Sequence, residues 1–311
     1  MIFLLKRLAL AVLVLLLVMV LLSSMVHFIP GDPARAILGL HANAELVNRV
    51  RREMWLDEPA YVQVFNFITH AIQGDLGIDF LSRVPVTHLI GAALPHTLIL
   101  AVVGLLLAAL IGIPLGVYSA VHAGGIVDRV IGALSVSLVS APTYVIGLVL
   151  LLVFAVQLNW LPAIGTGDLG DPIDYTRHLI LPAVALAIVW VGYLARLVRA
   201  SVQEVLGSNY VRTAFAMGIP ARRVHYKLAL RNALIPTVSI LGIGLGSFLG
   251  GAVFLEVIFT RPGLGRLVLD AVNTRNYTVV RGGVLVGALL FVFATLIADL
   301  VTRYLDPRTK E

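Results

Sequence analysis

Long uninterrupted apolar runs constrain this chain more than any other feature. Residues 8–22 contain no polar side chain, and near-apolar sequence continues to Ile29. Such a run is long enough to cross the ~30 Å hydrocarbon core of a bilayer. Five more stretches of the same character follow, at 97–118, 130–158, 179–198, 234–259 and 284–304. In lipid, every backbone N–H and C=O needs a partner within the protein, so apolar runs of this length specify helices. With 59% hydrophobic and only 13% charged residues, the expected fold is an all-α polytopic membrane protein with six spans. Pro114, Pro142, Pro182 and Pro236 lie within these runs, where neighbouring groups can re-satisfy the freed backbone.

The first run is too long for the core of a cleaved signal peptide, and Ser23-Ser24-Met25 is not a small-x-small cleavage site. It is read as an uncleaved first span within residues 1–29. Residues 30–95 are the longest polar segment. They open on the rigid turn Pro30-Gly31-Asp32-Pro33. A helix capped by Asn43 is expected over 44–55, with Leu46, Val47, Val50 and Met54 on one face. Tyr61, Phe65, Ile68 and Ile72 make a second helical stripe that ends at Gly74, and Gly74-Asp75-Leu76-Gly77 reads as a turn. This is the pattern of a small folded helical subdomain. The remaining five spans, residues 96–311, form the core.

Six spans place both termini on one side, and the lysines and arginines decide which. The two tails and the second and fourth connections hold thirteen of the 23, among them Lys6, Arg129, Arg199 and Arg303. The short connections on the other side hold five: Arg177, Arg261, Arg266, Arg275 and Arg281. By the positive-inside rule both termini are cytoplasmic, and 30–95 is extracytoplasmic. The net charge of +6 is therefore orientation, and no nucleic-acid partner is implied.

One polar island interrupts the apolar sequence, at 204–236. It carries Arg212, Arg222, Arg223, Lys227 and Arg231 against the single acid Glu204. A short helix is expected over 210–217. Asn209 is its N-cap, Gly218 its left-handed C′ residue, and Pro220 starts the next helix. Val211, Ala214, Phe215 and Gly218 fall at i, i+3, i+4 and i+7 and make an apolar face. A two-turn helix is not stable alone, so a partner or the rest of the fold must hold it. On the residues alone, a basic membrane-surface loop is an equal reading.

Chemistry beyond this island is sparse. No Cys is present, which removes disulfides and thiolate sites. No G-x-x-x-x-G-K-[ST] loop, H-E-x-x-H or G-x-S-x-G occurs. The eight histidines are scattered, so no metal site is expected. Glu256 and Asp299 are the acidic groups inside the expected spans, and each either reaches an interface, pairs, or meets a substrate. Gly242, Gly246 and Gly250 repeat every four residues and serve either close helix packing or a translocation path.

The island resembles the cytoplasmic coupling loop of ABC-importer permeases in its dipeptide, oligopeptide and nickel-importer form. The carrying residues are the Tyr-Val-Arg-Thr-Ala run from Tyr210 to Ala214, Gly218, and the Arg-Asn-Ala-Leu-Ile-Pro exit from Arg231 to Pro236. Of the broader importer pattern, Glu-Ala-Ala followed by Gly, only Ala214 and Gly218 match. Pro-Gly-Asp-Pro at 30–33, Leu-Asp-x-Pro at 56–59, Gly-Asp-Leu-Gly at 74–77, Arg-Pro-Gly-Leu-Gly at 261–265 and Asp306-Pro307 extend the resemblance over nearly the whole chain.

The resemblance implies a permease subunit of an ATP-driven bacterial importer for dipeptides or oligopeptides, with glutathione or nickel chelates as alternatives. It implies a second homologous permease, two ATPase subunits and an extracytoplasmic substrate-binding protein, in the cytoplasmic membrane. It assigns no catalysis and no cofactor to this chain; ATP and Mg would bind the partner ATPases. Within the loop, 200–233, it gives ATPase coupling to Glu204, Tyr210, Val211, Arg212, Thr213, Ala214, Phe215, Gly218, Arg231 and Asn232. Val211, Ala214 and Phe215 would supply apolar contact and Arg212 a charged anchor. The rival classes are an ion-coupled secondary carrier, which needs a coupling residue deep in the spans, and a non-transporting membrane scaffold.

Overall fold

A computed structural model describes residues 2–28, 34–35, 43–53, 57–168 and 170–305. The turn at 30–33, Met54, Trp55, Leu56 and Asp306-Pro307 lie outside the described residues. Among those described, the regular elements are all helices, with one isolated antiparallel bridge between Ile78 and Pro85. The long helices are α1 (Ile2–Phe28), α4 (Val86–Val121), α7 (Pro172–Leu206), α10 (Ile235–Ile258) and α12 (Tyr277–Leu305). Between them lie α2 (Ala44–Glu53), α3 (Ala60–Ile72), α5 (Ile126–Ser140), α6 (Thr143–Leu150), α8 (Asn209–Ala216), α9 (Ala221–Arg223) and α11 (Leu264–Asn273).

Four helices, α4, α7, α10 and α12, are long and apolar enough to cross a bilayer, and a fifth span arises if the bent pair α5–α6 is one crossing. The stretch expected as the first span is α1, a helix of 27 residues. The stretch at 130–158 is not one helix. It breaks at Ser140-Ala141-Pro142 with a bend of 101°. Proline forces its predecessor out of the helical region, and Ala141 accordingly adopts φ −85°, ψ 126°. Beyond Leu150 the second half continues as a π-helix, Leu151–Gln157.

The chain divides into two compact units. One comprises Met1–Thr97 with Pro262–Val292. Val86, Ile90, Leu264, Ala271, Val279 and Val280 are its buried apolar core. Residues 262–292 thus belong with the polar segment after the first span, which a division at residue 95 does not anticipate. Two of its features follow the sequence reading. Asn43 caps α2 by accepting the Glu45 N–H at 3.2 Å. Asp75 accepts the Gly77 N–H at 2.8 Å in the expected turn. The α3 stripe reverses: Tyr61, Phe65 and Ile72 are exposed, while Gln63 is 2% exposed. Helix α11 has no counterpart in the sequence reading.

Asp79 organises the loop between Gly77 and Val86. It accepts hydrogen bonds from the Leu81 N–H, the Ser82 hydroxyl and the Asn276 amide. Burial pushes its carboxyl up, and these donors outweigh burial and hold it below the ordinary carboxylate range.

The other unit comprises Leu98–Arg261 with Phe293–Glu311. Leu100, Leu186, Leu194, Phe248, Leu255 and Phe259 form its centre. Helix α7 is its axis, started by Asp171, whose carboxylate accepts the Ile173 N–H at 2.9 Å. Helices α4 and α7 approach so closely that a Cβ on Gly116 would lie 2.6 Å from the Ala195 carbonyl oxygen. Glycine is required there by space.

Two predictions follow from this packing. Gly116→Val overpacks the α4–α7 contact and costs about 1–3 kcal/mol, read as a lowered thermal midpoint in detergent. Leu106→Val, at a position 62% exposed, leaves the midpoint unchanged. Asp79 has a depressed folded pKa, so its stabilisation is full above the unfolded value of about 3.9 and is lost as pH falls through the lower folded value. Asp79→Asn therefore flattens the acid side of the stability profile, measured as thermal midpoint from about pH 6 down to about pH 3.

Candidate functional site

The polar island folds into two short helices closed onto the end of α7. Helix α7 runs to Leu206, and α8 follows after Gly207 and Ser208. The expected N-cap shifts by one residue. Asn209 is the first residue of α8, and Ser208 precedes it at φ −73°, ψ 154° without a side-chain cap. The Ser208 hydroxyl instead donates backward to the Val205 carbonyl at 2.5 Å, so it serves the preceding helix.

The C-terminal signal is as expected. Gly218 takes φ +76°, a left-handed conformation that glycine adopts without strain. Its N–H donates to the Phe215 carbonyl at 2.9 Å, and the Ile219 N–H donates to Ala214 at 3.2 Å. That pair of bonds is a Schellman closure. Pro220 sits just outside the next helix as its N-cap, and α9 starts at Ala221. The chain continues through a π-helical turn, Val224–Ala229, and a last α-turn, Leu230–Ala233, into α10.

The apolar face of α8 turns inward. Val211 is fully buried and Ala214 nearly so, in one cluster with Val224 and Ala229. Val205 and Leu206 from α7 and Ile219 pack against it. Val224 and Ala229, at the two ends of the π-turn, both reach this cluster. Val211 and Ala214 are therefore not available to a partner, in contrast to the contact role expected for them. They fasten α8 to its own chain. What faces outward is Tyr210, Arg212, Thr213, Phe215 and Met217, the last 75% exposed. The Phe215 ring meets His225 edge-on, with centroids 5.9 Å apart.

Two of the sequence-selected residues meet across the loop: the Asn232 amide donates to the Tyr210 hydroxyl at 3.0 Å. Glu204 and Arg231 are exposed. Gly242, Gly246 and Gly250 lie on α10 and do not share one environment. Gly242 abuts Ala298 of α12, Gly246 is buried, and Gly250 borders open space.

The base of the loop is tied by an ion pair that sequence reading missed. Arg199 on α7 donates two hydrogen bonds to Asp128 on α5, at 2.6 and 2.8 Å. The same carboxylate accepts from the Ser119 hydroxyl of α4 and from the Gly124 N–H at 2.9 Å. One carboxylate thus joins three helices. Next to it, Val117, Ala120, Val198, Val202 and Ala233 form an apolar cluster. The available signal was an acid three residues after Gly124-Gly125 at the start of a span. Counting charges for orientation passes over it.

At the far end of α10, Glu256 and Arg261 are both fully buried. The Arg261 guanidinium donates to the Tyr175 hydroxyl and the His178 carbonyl, each at 3.3 Å. Burial pushes its pKa down, and Tyr175 and Glu256 oppose that shift. Glu256 is thus part of a buried polar joint within the fold.

The profile of the binding-protein-dependent transport system inner membrane component family matches residues 112–311. The profile of that family's N-terminal region matches residues 1–101. The chain belongs to this family. It is a permease of the binding-protein-dependent ABC-importer type, a multi-pass membrane protein. Among curated relatives, the glutathione transport system permease protein GsiC of Salmonella choleraesuis (strain SC-B67) is 39% identical over 303 residues, 97% of each chain. GsiC of Escherichia coli (strain K12) is 37% identical over 302 residues, 97% of this permease and 96% of its own length. Among solved structures, a chain of the inward-facing methionine ABC transporter MetNI superposes with a TM-score of 0.58 at 20% identity. It covers 70% of this permease and 96% of that chain, which supports the permease fold.

The two faces of α8 predict opposite outcomes for one chemical change. Val211→Asp buries an unpaired carboxylate and destabilises by more than about 2 kcal/mol. It speeds tryptic cleavage at Arg212 and Arg222. Phe215→Asp, on the outer face, gives up at most about 1 kcal/mol of aromatic contact. It leaves the thermal midpoint and the tryptic pattern close to wild type.

Proposed function

We propose that this permease is the translocating subunit of an ATP-driven importer for glutathione or short peptides of similar size. The observation that carries the reading is the 37–39% identity to GsiC permeases over 97% of the chain. In this reading ATP and Mg bind partner ATPase subunits, a second homologous permease completes the pathway, and an extracytoplasmic binding protein delivers the solute. Both termini and the 204–236 loop face the cytoplasm, as the lysine and arginine distribution supports.

The mechanism rests on the two-sided α8. Its outer residues Arg212, Phe215 and Met217 seat in a cleft of the ATPase, with Arg212 offering charge and the other two apolar area. Its inner residues, Val211 and Ala214, are locked to α7 and to the π-turn by the buried cluster. When two ATPase subunits close on ATP, α8 moves as a rigid piece. A packed cluster is not readily compressed, so the displacement passes to the end of α7 as well as through α9 into α10. Helix α7 is 35 residues long, roughly 50 Å, and carries that displacement through the core of its unit. The Asp128–Arg199 pair holds α5 and α4 to the moving end of α7, so these helices follow.

The test is a pull-down of the tagged chain from its native membrane, paired with uptake of labelled glutathione and alanyl-alanine into proteoliposomes. The expected result is co-purification of a Walker-motif ATPase and a second permease, with ATP-dependent uptake. In Phe215→Asp, ATPase recovery and uptake fall at least about tenfold, the order expected for loss of one buried aromatic anchor, while membrane insertion is unchanged. Recovery of the chain alone, with uptake driven by an ion gradient and indifferent to ATP, overturns the reading in favour of a secondary carrier.

A further inference from the structure

The unit formed by Met1–Thr97 and Pro262–Val292 contains a cavity of about 190 Å³ lined in part by Gln63, Phe67, Asp75, Thr278 and Arg281. Three of its walls are buried polar groups with unmet hydrogen-bonding capacity. Arg281 is 8% exposed, Thr278 9% and Gln63 2%. The Arg281 Nε, the Thr278 hydroxyl and the Gln63 Oε1 have no hydrogen-bond partner. Among the described residues Arg281 forms no ion pair; its recorded contact is the Phe67 ring, 5.5 Å from the guanidinium carbon. A buried arginine in the first turns of a membrane helix, with no carboxylate beside it, is costly to maintain as structure alone. Buried polar atoms are otherwise almost always satisfied, so three orphans around one cavity point to a missing ligand.

The donor and acceptor types specify that ligand. A guanidinium presents a planar fork matched to a carboxylate, and the Phe67 ring 5.5 Å from its carbon occupies none of its N–H donors with a hydrogen bond. The Gln63 amide nitrogen is already engaged, donating to the Glu58 carbonyl at 2.9 Å. Its oxygen is therefore fixed as an acceptor and calls for an N–H. Thr278 can donate or accept. Asp75 at the same cavity disfavours a purely anionic occupant such as inorganic phosphate and favours one that also bears an N–H or ammonium. A carboxylate with an adjacent N–H is the C-terminal end of a peptide.

We propose that this cavity binds the C-terminal end of a small peptide-like solute, with its carboxylate on Arg281 and its neighbouring N–H on Gln63. The proposal rests on the reading of the chain as an importer of such solutes, and it adds a solute contact within the permease itself, separate from α10 and its glycines. A zwitterionic lipid headgroup is the competing source of paired charge.

The experiment is ligand-detected NMR on the permease complex in nanodiscs, titrated with alanyl-alanine and with alanyl-alaninamide, which lacks the carboxylate. The nanodiscs are made of phosphatidylcholine or of phosphatidylethanolamine. The wild type is expected to bind the acid at least about tenfold more tightly than the amide, the order of a charge-assisted bidentate contact. Arg281→Gln binds acid and amide equally, and Arg281→Lys recovers part of the discrimination. Gln63→Leu weakens both ligands together and retains the acid preference. A misfolded variant would lose binding of both ligands rather than equalise them, and retained ATPase co-purification reports folding independently. Unchanged discrimination in Arg281→Gln, or no binding by the wild type, overturns the site and leaves water as its occupant. Acid binding abolished by phosphatidylethanolamine overturns it in favour of a headgroup. If the wild-type chain itself recovers no ATPase, yet binds the acid preferentially and loses that preference in Arg281→Gln, the site stands while the importer reading fails.

Discussion

Hydrocarbon supplies no hydrogen-bond partner to a polypeptide, and the rest of this structure follows from that. Each apolar stretch must close its own backbone bonds, so the described chain is almost entirely helix. Freedom to be anything else is confined to the ends of helices and to breaks between them. The chemically distinctive features sit at such places: the Ser208–Asn209 junction, the Schellman turn at Gly218, the break at Pro142, and the buried Glu256–Arg261 joint at the end of α10. The long helices carry position, and their termini carry specificity.

Polar groups that do enter the apolar interior are gathered into a few multi-partner joints. Asp128 takes hydrogen bonds from Arg199, Ser119 and Gly124. Arg261 lies between Tyr175, His178 and Glu256. Each joint gives several partners to a charge that would be prohibitive alone. Each also binds elements distant in sequence: Asp128 and Arg199 are 71 residues apart. These joints are rigid fastenings between helices whose remaining contacts are non-directional, and they keep helices in register when one of them is displaced. Against them, the cavity around Arg281 stands apart, because its charge has a ring contact and space beside it.

The all-α fold was legible from hydropathy, because run length translates directly into span length. Gly218 and Asn43 were legible because a left-handed turn and a side-chain cap each have a short local signature. Three things were not. The 101° break in the third apolar stretch is invisible to hydropathy, since both halves are equally apolar; Pro142 marks it, but Pro182 lies inside an unbroken α7, so proline alone does not decide. The inward turn of Val211 and Ala214 was missed because periodicity reports that a face is apolar and not what covers it. The same ambiguity reversed the α3 stripe, where Tyr61 and Phe65 look outward around a buried Gln63. The Asp128–Arg199 pair was missed because two residues so far apart are joined only by tertiary structure.

The division of α8 into an inward and an outward face separates two kinds of sequence constraint on eight residues. Val211 and Ala214 answer to the permease's own interior, whereas Arg212 and Phe215, with Met217 just beyond, answer to whatever lies outside it. A cell that runs several importers of this architecture must keep each membrane subunit matched to its own motor. The inward residues can be held in common across such a set while the outward ones drift in step with the cognate motor. If α8 docks on the ATPase as proposed, the short helix acts as an address label. Its text is rewritable at a few exposed positions, without disturbing the fold on which it is written.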